Sequence, residues 1–332
     1  METISEGSVQ ISIPAQPSSP KESEAFYNPE MKLNRDLSIL VAQEFFKTRK
    51  AVSVCEPLSA TGVRALRYAK EVLNTQVYAG DIRKTAVEIL EKNIALNELE
   101  NVQVFHSDAC ELLEKRKYDL IDLDPFGSPA DFIDSALKGC KKNGLLGITA
   151  TDTRALCGAA PPAGTPMVKY NDATTLKCEY VHEIAIRILL GLIAQKSENG
   201  ITPLLSLSNR HYLRVFVKPT GTKELGYVNH CFKCGARSVS AQKKIKCKCG
   251  TAFKHAGRLW IGKLWDYVFL NKLNTEDKEL SKILVFMKAE AEGKPLFYTT
   301  RELYKEIPKL EVVLKEHKAT RTHFKLDGIR IK

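Results

Sequence analysis

Val52-Ser53-Val54-Cys55-Glu56-Pro57-Leu58-Ser59-Ala60-Thr61-Gly62-Val63-Arg64-Ala65-Leu66-Arg67 runs from four residues of strand type, through a turn of small residues, directly into a helix. A strand that turns this tightly into a helix is the opening unit of a parallel sheet covered by helices. The pattern recurs downstream. Residues 76–79 read as the next strand and 85–96 as the next helix, then 102–105, 120–123 and 145–149 as three further strands, with 132–138 helical before the last. Apolar runs of strand length alternating with helical stretches predict an α/β fold. Residues 175–195 are apolar at Val181, Ile184, Ile188, Leu189 and Leu192, the spacing of a long amphipathic helix. Residues 204–207 and 212–217 read as a strand pair that closes the sheet and makes it mixed. Upstream, residues 7–24 carry three prolines and predict a short strand followed by an exposed connection.

The 332 residues suit two compact units, and 44% hydrophobic with 27% charged residues excludes collagen-like and low-complexity chains. No run approaches the roughly 18 apolar residues of a membrane helix. Glu2 and Glu6 stand where a leader would carry basic residues, so no targeting segment and a cytoplasmic setting are expected, with no obligate protein partner implied. The net charge of +11 is uneven: residues 1–220 hold 26 basic and 27 acidic side chains, residues 221–332 hold 24 and 12. Between Leu225 and Trp265 there is no Asp or Glu, but Lys233, Arg237, Lys243, Lys244, Lys246, Lys248, Lys254, Arg258 and Lys263 are present. Such a surface attracts polyanions, and the plainer alternative is a solvated lysine face around a metal site. The shift places a domain boundary near Thr220: residues 1–220, with an N-terminal extension 1–50, and residues 221–332.

Nine cysteines in a chain with no export signal make a disulfide framework improbable. Cys231-Phe232-Lys233-Cys234 and Cys247-Lys248-Cys249, each pair followed by a glycine (Gly235, Gly250), suit a closed tetrahedral thiolate site for structural Zn2+. Four thiolates leave no open position, so such a metal shapes the fold and binds no substrate. Cys55, Cys110, Cys140, Cys157 and Cys178 lie in apolar or helical contexts and read as packing.

There is no GxGxxG and no P-loop lysine, so the turn ending at Gly62 is a small-residue ligand turn of another kind. Glu56, Asp81, Asp108 (followed by Ala109) and the Asp122-Leu123-Asp124 run stand at four successive strand ends. Acidic groups crowded on one sheet edge repel one another unless a cation joins them, which favours S-adenosylmethionine over NAD or ATP. In the alternative reading each Asp caps the helix that follows.

Asp124-Pro125-Phe126-Gly127 resembles the (D/N)PP(Y/F) signature of methyltransferases acting on exocyclic amino groups of bases. The lone pair of such a nitrogen is delocalised into the ring. A carboxylate and the Pro125 carbonyl accepting its two N–H bonds would turn it toward tetrahedral geometry, with Phe126 stacked on the extruded base. Residues 26–36 (FYNPEMKLNRD), 59–67 (SATGVRALR), 124–129 (DPFGSP), 151–158 (TDTRALCG) and 318–324 (KATRTHF) together resemble the tRNA (guanine-26) N2-dimethyltransferase family, in family order over almost the whole chain. The compact length is similar to that of archaeal members.

The resemblance implies a Rossmann-like class I methyltransferase sheet, a smaller zinc-containing basic domain, and methyl transfer from S-adenosylmethionine to guanine N2 of tRNA, once and again. Carried over residue by residue, Arg35 and Arg64 would contact the methionine end of the cofactor or groups beside it, Asp81 its ribose, and Asp108 and Ala109 its adenine. Arg67, one helical step from Arg64, is the alternative contact. Glu56 stands where many members have Asp. Asp124 would be the catalytic carboxylate, with Phe126 and Phe26 sandwiching the guanine, and Cys231, Cys234, Cys247 and Cys249 would hold zinc. Phe26 as a core anchor and Arg35 as a surface ion pair are the alternatives. Lys318, Arg321 and His323 join cations to an aromatic in a run suited to phosphates and 2′-hydroxyls, or else to a packed strand turn. The competing functions are the same chemistry on DNA or another RNA position, and a non-catalytic zinc-ribbon RNA-binding protein.

Overall fold

A computed structural model describes residues 2–14, 25–159 and 166–332. The expected exposed connection falls at residues 15–24, outside the described residues. Packing divides the chain into two units, Met1–Pro125 with Phe132–Ile148 and Leu273–Leu280, and Phe126–Asp131 with Thr149–Lys272 and Ser281–Lys332.

The first unit opens with an antiparallel hairpin, β1 (Glu2–Glu6) and β2 (Val9–Ile13), where one strand was expected. Next, the Asn28 carboxamide accepts the Glu30 amide and Pro29 sets φ for a turn of 3-10 helix that runs into α1 (Lys32–Phe45). The motif at residues 26–36 does not announce this helix, because Asn34, Arg35 and Ser38 interrupt its apolar spacing. The alternation then unfolds as β3 (Val52–Glu56), α2 (Val63–Glu71), β4 (Thr75–Asp81), α3 (Lys84–Leu96), β5 (Val102–His106), α4 (Ala109–Glu114), β6 (Tyr118–Leu123), α5 (Ile133–Gly139) and β7 (Cys140–Ala150). Only α4 was unforeseen: its six residues carry too little periodicity, and Asp108 caps it by accepting the Cys110 amide. Val54, Leu120 and Ile121 of the strands, with Leu66 and Leu90 of the helices, are fully buried, so the apolar runs that announced the strands also form this unit's core.

The seven-stranded sheet has the order β5-β4-β3-β6-β7-β9-β8. β8 (Ile201–Asn209) and β9 (Tyr212–Thr222) are antiparallel to each other, which makes the sheet mixed, as expected. Thr220 lies within β9, so the packing units do not part at that residue.

In the second unit α6 (Thr153–Leu156) and α7 (Pro166–Lys169) precede α8 (Val181–Lys196). α8 begins six residues later than expected, and ahead of it the Thr174 amide and carbonyl are both bonded to Gly257. It is also buried on all sides from Glu183 to Ala194 instead of amphipathic; its charged members Glu183 and Arg187 pair across one turn. A β-carbon on Gly191 would sit 2.9–3.0 Å from the backbone of Leu259 and Trp260, so only glycine permits this approach. A small sheet, β10 (Leu225–His230) between β11 (Arg237–Ser240) and β12 (Lys254–Trp260), carries the cysteine pairs. The remainder holds α9 (Tyr267–Lys272), α10 (Lys278–Glu290), β13 (Tyr298–Thr299), α11 (Thr300–Leu303), α12 (Leu310–Glu316), β14 (Ala319–Arg321) and β15 (Gly328–Ile331). Glu183 and Glu290, both fully buried, are bridged by Arg330.

Candidate active site and metal centre

The turn after β3 is wired to the end of β4. Ser59 donates its amide to the Gly80 carbonyl and its hydroxyl to the Glu56 carbonyl, and accepts the Gly80 amide. Asp81 accepts the Ala60 amide (3.0 Å) and the Arg83 amide (2.9 Å), one on each carboxylate oxygen. Each oxygen keeps a second lone pair, so a carboxylate fixed this way is still an acceptor for hydroxyls. Gly62 has φ +81° and caps α2, and a β-carbon there would collide with Leu90 at 2.2 Å. Its missing side chain serves the packing of helix on helix. Asp108 is a helix cap as well, accepting the Cys110 amide at 2.8 Å, and Ala109 is buried.

Beside this turn one guanidinium meets three carboxylates. Arg64 is 2% exposed; its Nε lies 3.3 Å from Glu56 Oε1, its Nη1 3.6 Å from Asp122, and its Nη2 donates to Asp124. Asn34 and Ser38, one turn apart on α1, accept Nη1 at 2.9 and 2.8 Å, and the Tyr68 hydroxyl donates to Asp122 at 2.5 Å. Burial opposes the charge on Arg64, but the three carboxylates outweigh it and raise its pKa. Burial pushes Glu56 up to about 8, Arg64 opposing and Asp122 and Asp124 adding. Among the described residues Glu56 Oε2 is buried without a hydrogen-bond partner. Three acids on one cation, with an orphaned carboxylate oxygen, fit a ligand that brings positive charge and N–H donors. Asn34, Ser38 and Tyr68 carry only one signal in the sequence, polar groups on the core-facing sides of α1 and α2.

Arg35 and Arg67 belong to a second cluster. Glu6, buried at the end of β1, takes Arg35 Nε at 2.6 Å and Nη2 at 2.5 Å, Arg67 Nη1 at 3.1 Å and the Tyr27 hydroxyl at 2.9 Å. Arg67 also bonds Asp36 (2.6 Å) and Glu71 (2.9 Å), and Arg35 the Asn28 carbonyl (3.1 Å). Arg35 is thus in an ion pair, but a buried one with Glu6 instead of the surface pair weighed from sequence. Arg64 touches Asp124, whereas Arg67 is held by the three carboxylates Glu6, Asp36 and Glu71.

Asp124, one residue beyond β6, is partly exposed, and Pro125 is buried. In the second unit Phe126 is 56% exposed. There the Gly127 amide donates to Thr151 Oγ1 (2.7 Å) and the Thr151 amide to the Gly127 carbonyl (2.9 Å). Ser128 donates to the Tyr170 hydroxyl (3.0 Å), which donates to Asp152 (2.8 Å). Residues 126–128 are therefore fixed by the 151–152 segment, and burial raises the Asp152 pKa. Phe26 is half-buried.

The thiols of Cys231, Cys234, Cys247 and Cys249 lie within 4.8 Å of one another, with Cys231–Cys249 and Cys234–Cys247 at 3.5 Å. Tetrahedral thiolates about 2.3 Å from a zinc ion sit about 3.8 Å apart, so this cluster fits that metal. Gly235 (φ +73°) and Gly250 (φ +86°) turn the two knuckles, as their positions after the pairs imply.

The predicted RNA residues separate. Lys318 is exposed, and Arg321 is half-buried with its guanidinium 4.9 Å from the Phe286 ring centre. His323 has a side chain only 2% exposed; it pairs with Glu290, and its Nε2 accepts the Ser208 amide at 3.3 Å. A ring held this way has no face for RNA, so its expected contact is corrected to packing. Arg237 likewise leaves the basic surface: its side chain is 2% exposed, paired with Glu302 and 4.1 Å from the Tyr298 ring centre.

A family model described as N2,N2-dimethylguanosine tRNA methyltransferase matches residues 7–332. A relative from Methanosphaera stadtmanae named tRNA (guanine(26)-N(2))-dimethyltransferase is 35% identical over 364 residues, covering 98% of this chain and 93% of the relative. One from Aquifex aeolicus, named tRNA (guanine(26)-N(2)/guanine(27)-N(2))-dimethyltransferase, is 35% identical over 99% of this chain and 93% of its own. The solved structure of Trm1 from Pyrococcus horikoshii with S-adenosyl-L-methionine shares 32% identity with a TM-score of 0.86, covering 99% of this chain and 96% of that one. This chain belongs to the N2,N2-dimethylguanosine tRNA methyltransferase family.

Proposed function

We propose that this chain transfers methyl groups from S-adenosylmethionine to the exocyclic N2 of guanine 26 in tRNA, giving N2-methyl- and then N2,N2-dimethylguanine. The single observation that carries the reading is the carboxylate cluster on Arg64, ending in Asp124-Pro125, in a chain of this family. S-adenosylmethionine, when bound, supplies an electrophilic methyl group on a sulfonium. Glu56, Arg64 and Asp81 are the side chains that would hold it, together with the Asp108–Ala109 corner. Arg35, held by Glu6, braces α1 behind that site in addition to any contact of its own.

The rest of the chemistry is the protein's. Arg64, itself fixed by Asn34, Ser38 and the Tyr68–Asp122 pair, holds the Asp124 carboxylate in place. Asp124 and the Pro125 carbonyl accept the two N–H bonds of the guanine amine, which localises its lone pair and leaves a carboxylate to take the proton after attack. Phe126, exposed on a loop that Thr151 fixes, is the stacking face for the base, and half-buried Phe26 is the candidate for its other side. Positioning is then the main source of rate.

We assign residues 1–220 to methyl transfer and residues 221–332, with structural Zn2+ on the four cysteines, to tRNA binding through Lys318 and Arg321. Among the described residues no helix is long and apolar enough to cross a membrane, and a cytoplasmic site of action suits a tRNA substrate. The test is to incubate unmodified tRNA with labelled cofactor and map the product by mass spectrometry. Dimethylation at guanine 26 is expected. The Aquifex relative's name makes the neighbouring guanine worth mapping too. Label confined to DNA or to another RNA refutes the assignment.

A further inference from the structure

The tip of the cysteine sheet exposes two large apolar side chains in the most basic part of the chain. Phe232, directly after Cys231, is 56% exposed, and Ile245, two residues before Cys247, is 84% exposed. Lys233, Lys243, Lys244, Lys246 and Lys248 of the same segment are all exposed, the Lys243 ammonium 5.0 Å from the Tyr227 ring centre, and no acidic residue occurs from Leu225 to Trp265. A metal staple needs none of this. It requires four sulfurs and tight turns, and a solvated staple gains nothing from an exposed phenyl ring.

The ring is also held. His230, 5% exposed, is fixed by a 2.8 Å hydrogen bond between its Nδ1 and the Tyr180 hydroxyl. The Phe232 ring stands at 78° to that imidazole with centroids 4.3 Å apart. Lys244 is anchored through its amide to Asn229 Oδ1 (2.7 Å), and His255 bonds the Lys244 carbonyl at 2.8 Å, so the lysine loop has a defined path. An aromatic platform braced from below, in a segment that carries five exposed lysines, is the chemistry that grips a nucleic acid: bases stack on the ring while phosphates meet the ammonium groups. A protein partner would need acidic side chains to match five lysines and would leave the braced ring unexplained.

We propose that this knuckle tip is a tRNA-binding surface in which an unpaired base stacks on Phe232 and the backbone beside it is neutralised by Lys233, Lys243, Lys244, Lys246 and Lys248. The proposal rests on tRNA being the substrate. It adds to that reading a contact remote in sequence from both the Asp124 loop and the 318–324 segment.

Filter binding of unmodified tRNA, run over a salt series with the full-length zinc-loaded chain, tests it. Phe232→Ala lowers affinity roughly 5- to 100-fold with the salt slope unchanged, since stacking releases no counterions. Phe232→Trp restores affinity. The combined Lys243→Gln, Lys244→Gln, Lys246→Gln, Lys248→Gln variant flattens the slope by about 3 to 4. Zinc content and S-adenosylmethionine affinity, measured on every variant, stay at the wild-type level. Wild-type tRNA affinity in Phe232→Ala, or a loss that Trp does not rescue, overturns the stacking surface while leaving the proposed function standing. A wild-type chain that binds no tRNA overturns both.

Discussion

Replacing Glu56 with Gln should make the folded chain more stable, and more so as pH rises. The side chain is 4% exposed, and burial pushes its pKa from 4.5 to about 8. Between those values the unfolded chain has lost the proton while the folded chain keeps it. The folded state then binds more protons, so stability falls with rising pH across that window and levels off above it. At about 1.36 kcal/mol per pKa unit, the span amounts to an upper figure of about 5 kcal/mol. Gln keeps the shape and never ionises. The Gln variant and wild type should therefore be about equally stable near pH 5, with the variant ahead by roughly 3 to 5 kcal/mol near pH 8. Urea denaturation followed by far-ultraviolet circular dichroism reads the difference. A cationic ligand pulls the same equilibrium toward the carboxylate. S-adenosylmethionine affinity of the wild type should rise with pH up to about 8 with release of a proton, while that of the variant stays flat. A stability difference that is constant across the window, or shrinks toward high pH, would refute the view that Glu56 is an acid buried short of positive charge.

Asp124→Ala should lower single-turnover methyl transfer about 10²- to 10⁴-fold while tRNA affinity is kept, and substantial residual turnover would remove Asp124 from its role. His323→Ala, which strips a hydrogen-bonded partner from buried Glu290, should cost about 1.5 to 3 kcal/mol of stability in urea denaturation but leave tRNA affinity untouched; a tRNA defect would reinstate His323 as an RNA contact. Arg321→Ala should weaken tRNA binding and flatten its salt dependence with cofactor affinity unchanged, and unaltered tRNA affinity would confine Arg321 to its packing on Phe286. Cys247→Ser should abolish zinc retention by atomic absorption and open residues 225–260 to protease, whereas full zinc occupancy would argue against the four-thiolate site.

Much of the sheet could be read in advance because a parallel strand buried on both faces is mostly apolar, as Val52, Val54 and Cys55, Leu120, Ile121 and Leu123, and Leu145, Leu146 and Ile148 are. Short or polar elements could not. The six-residue helix Ala109–Glu114 has no measurable period, and Lys32–Phe45 buries Asn34, Arg35 and Ser38 along with its apolar residues, which blurs the pattern. The bridge from Thr174 to Gly257, ahead of the helix that starts at Val181, joins partners 83 residues apart.

The same distinction decides which site residues were legible. Strand ends are fixed by the apolar runs, so the acids that terminate them could be named from sequence, and Glu56, Asp122 and Asp124 do meet. Whether a charged side chain points to solvent is a different question, because its partner lies elsewhere in the chain: Glu6 is 29 residues from Arg35 and 61 from Arg67, and Glu290 is 33 from His323. A lone Arg or His is expected at the surface, and only an opposite charge paired with it reverses that. Arg35, Arg237 and His323 were each drawn inward by one carboxylate. The cations without such a partner, the knuckle lysines above all, keep the exposure that composition assigns them, and it is there that charge read from sequence remains a guide to what the protein binds.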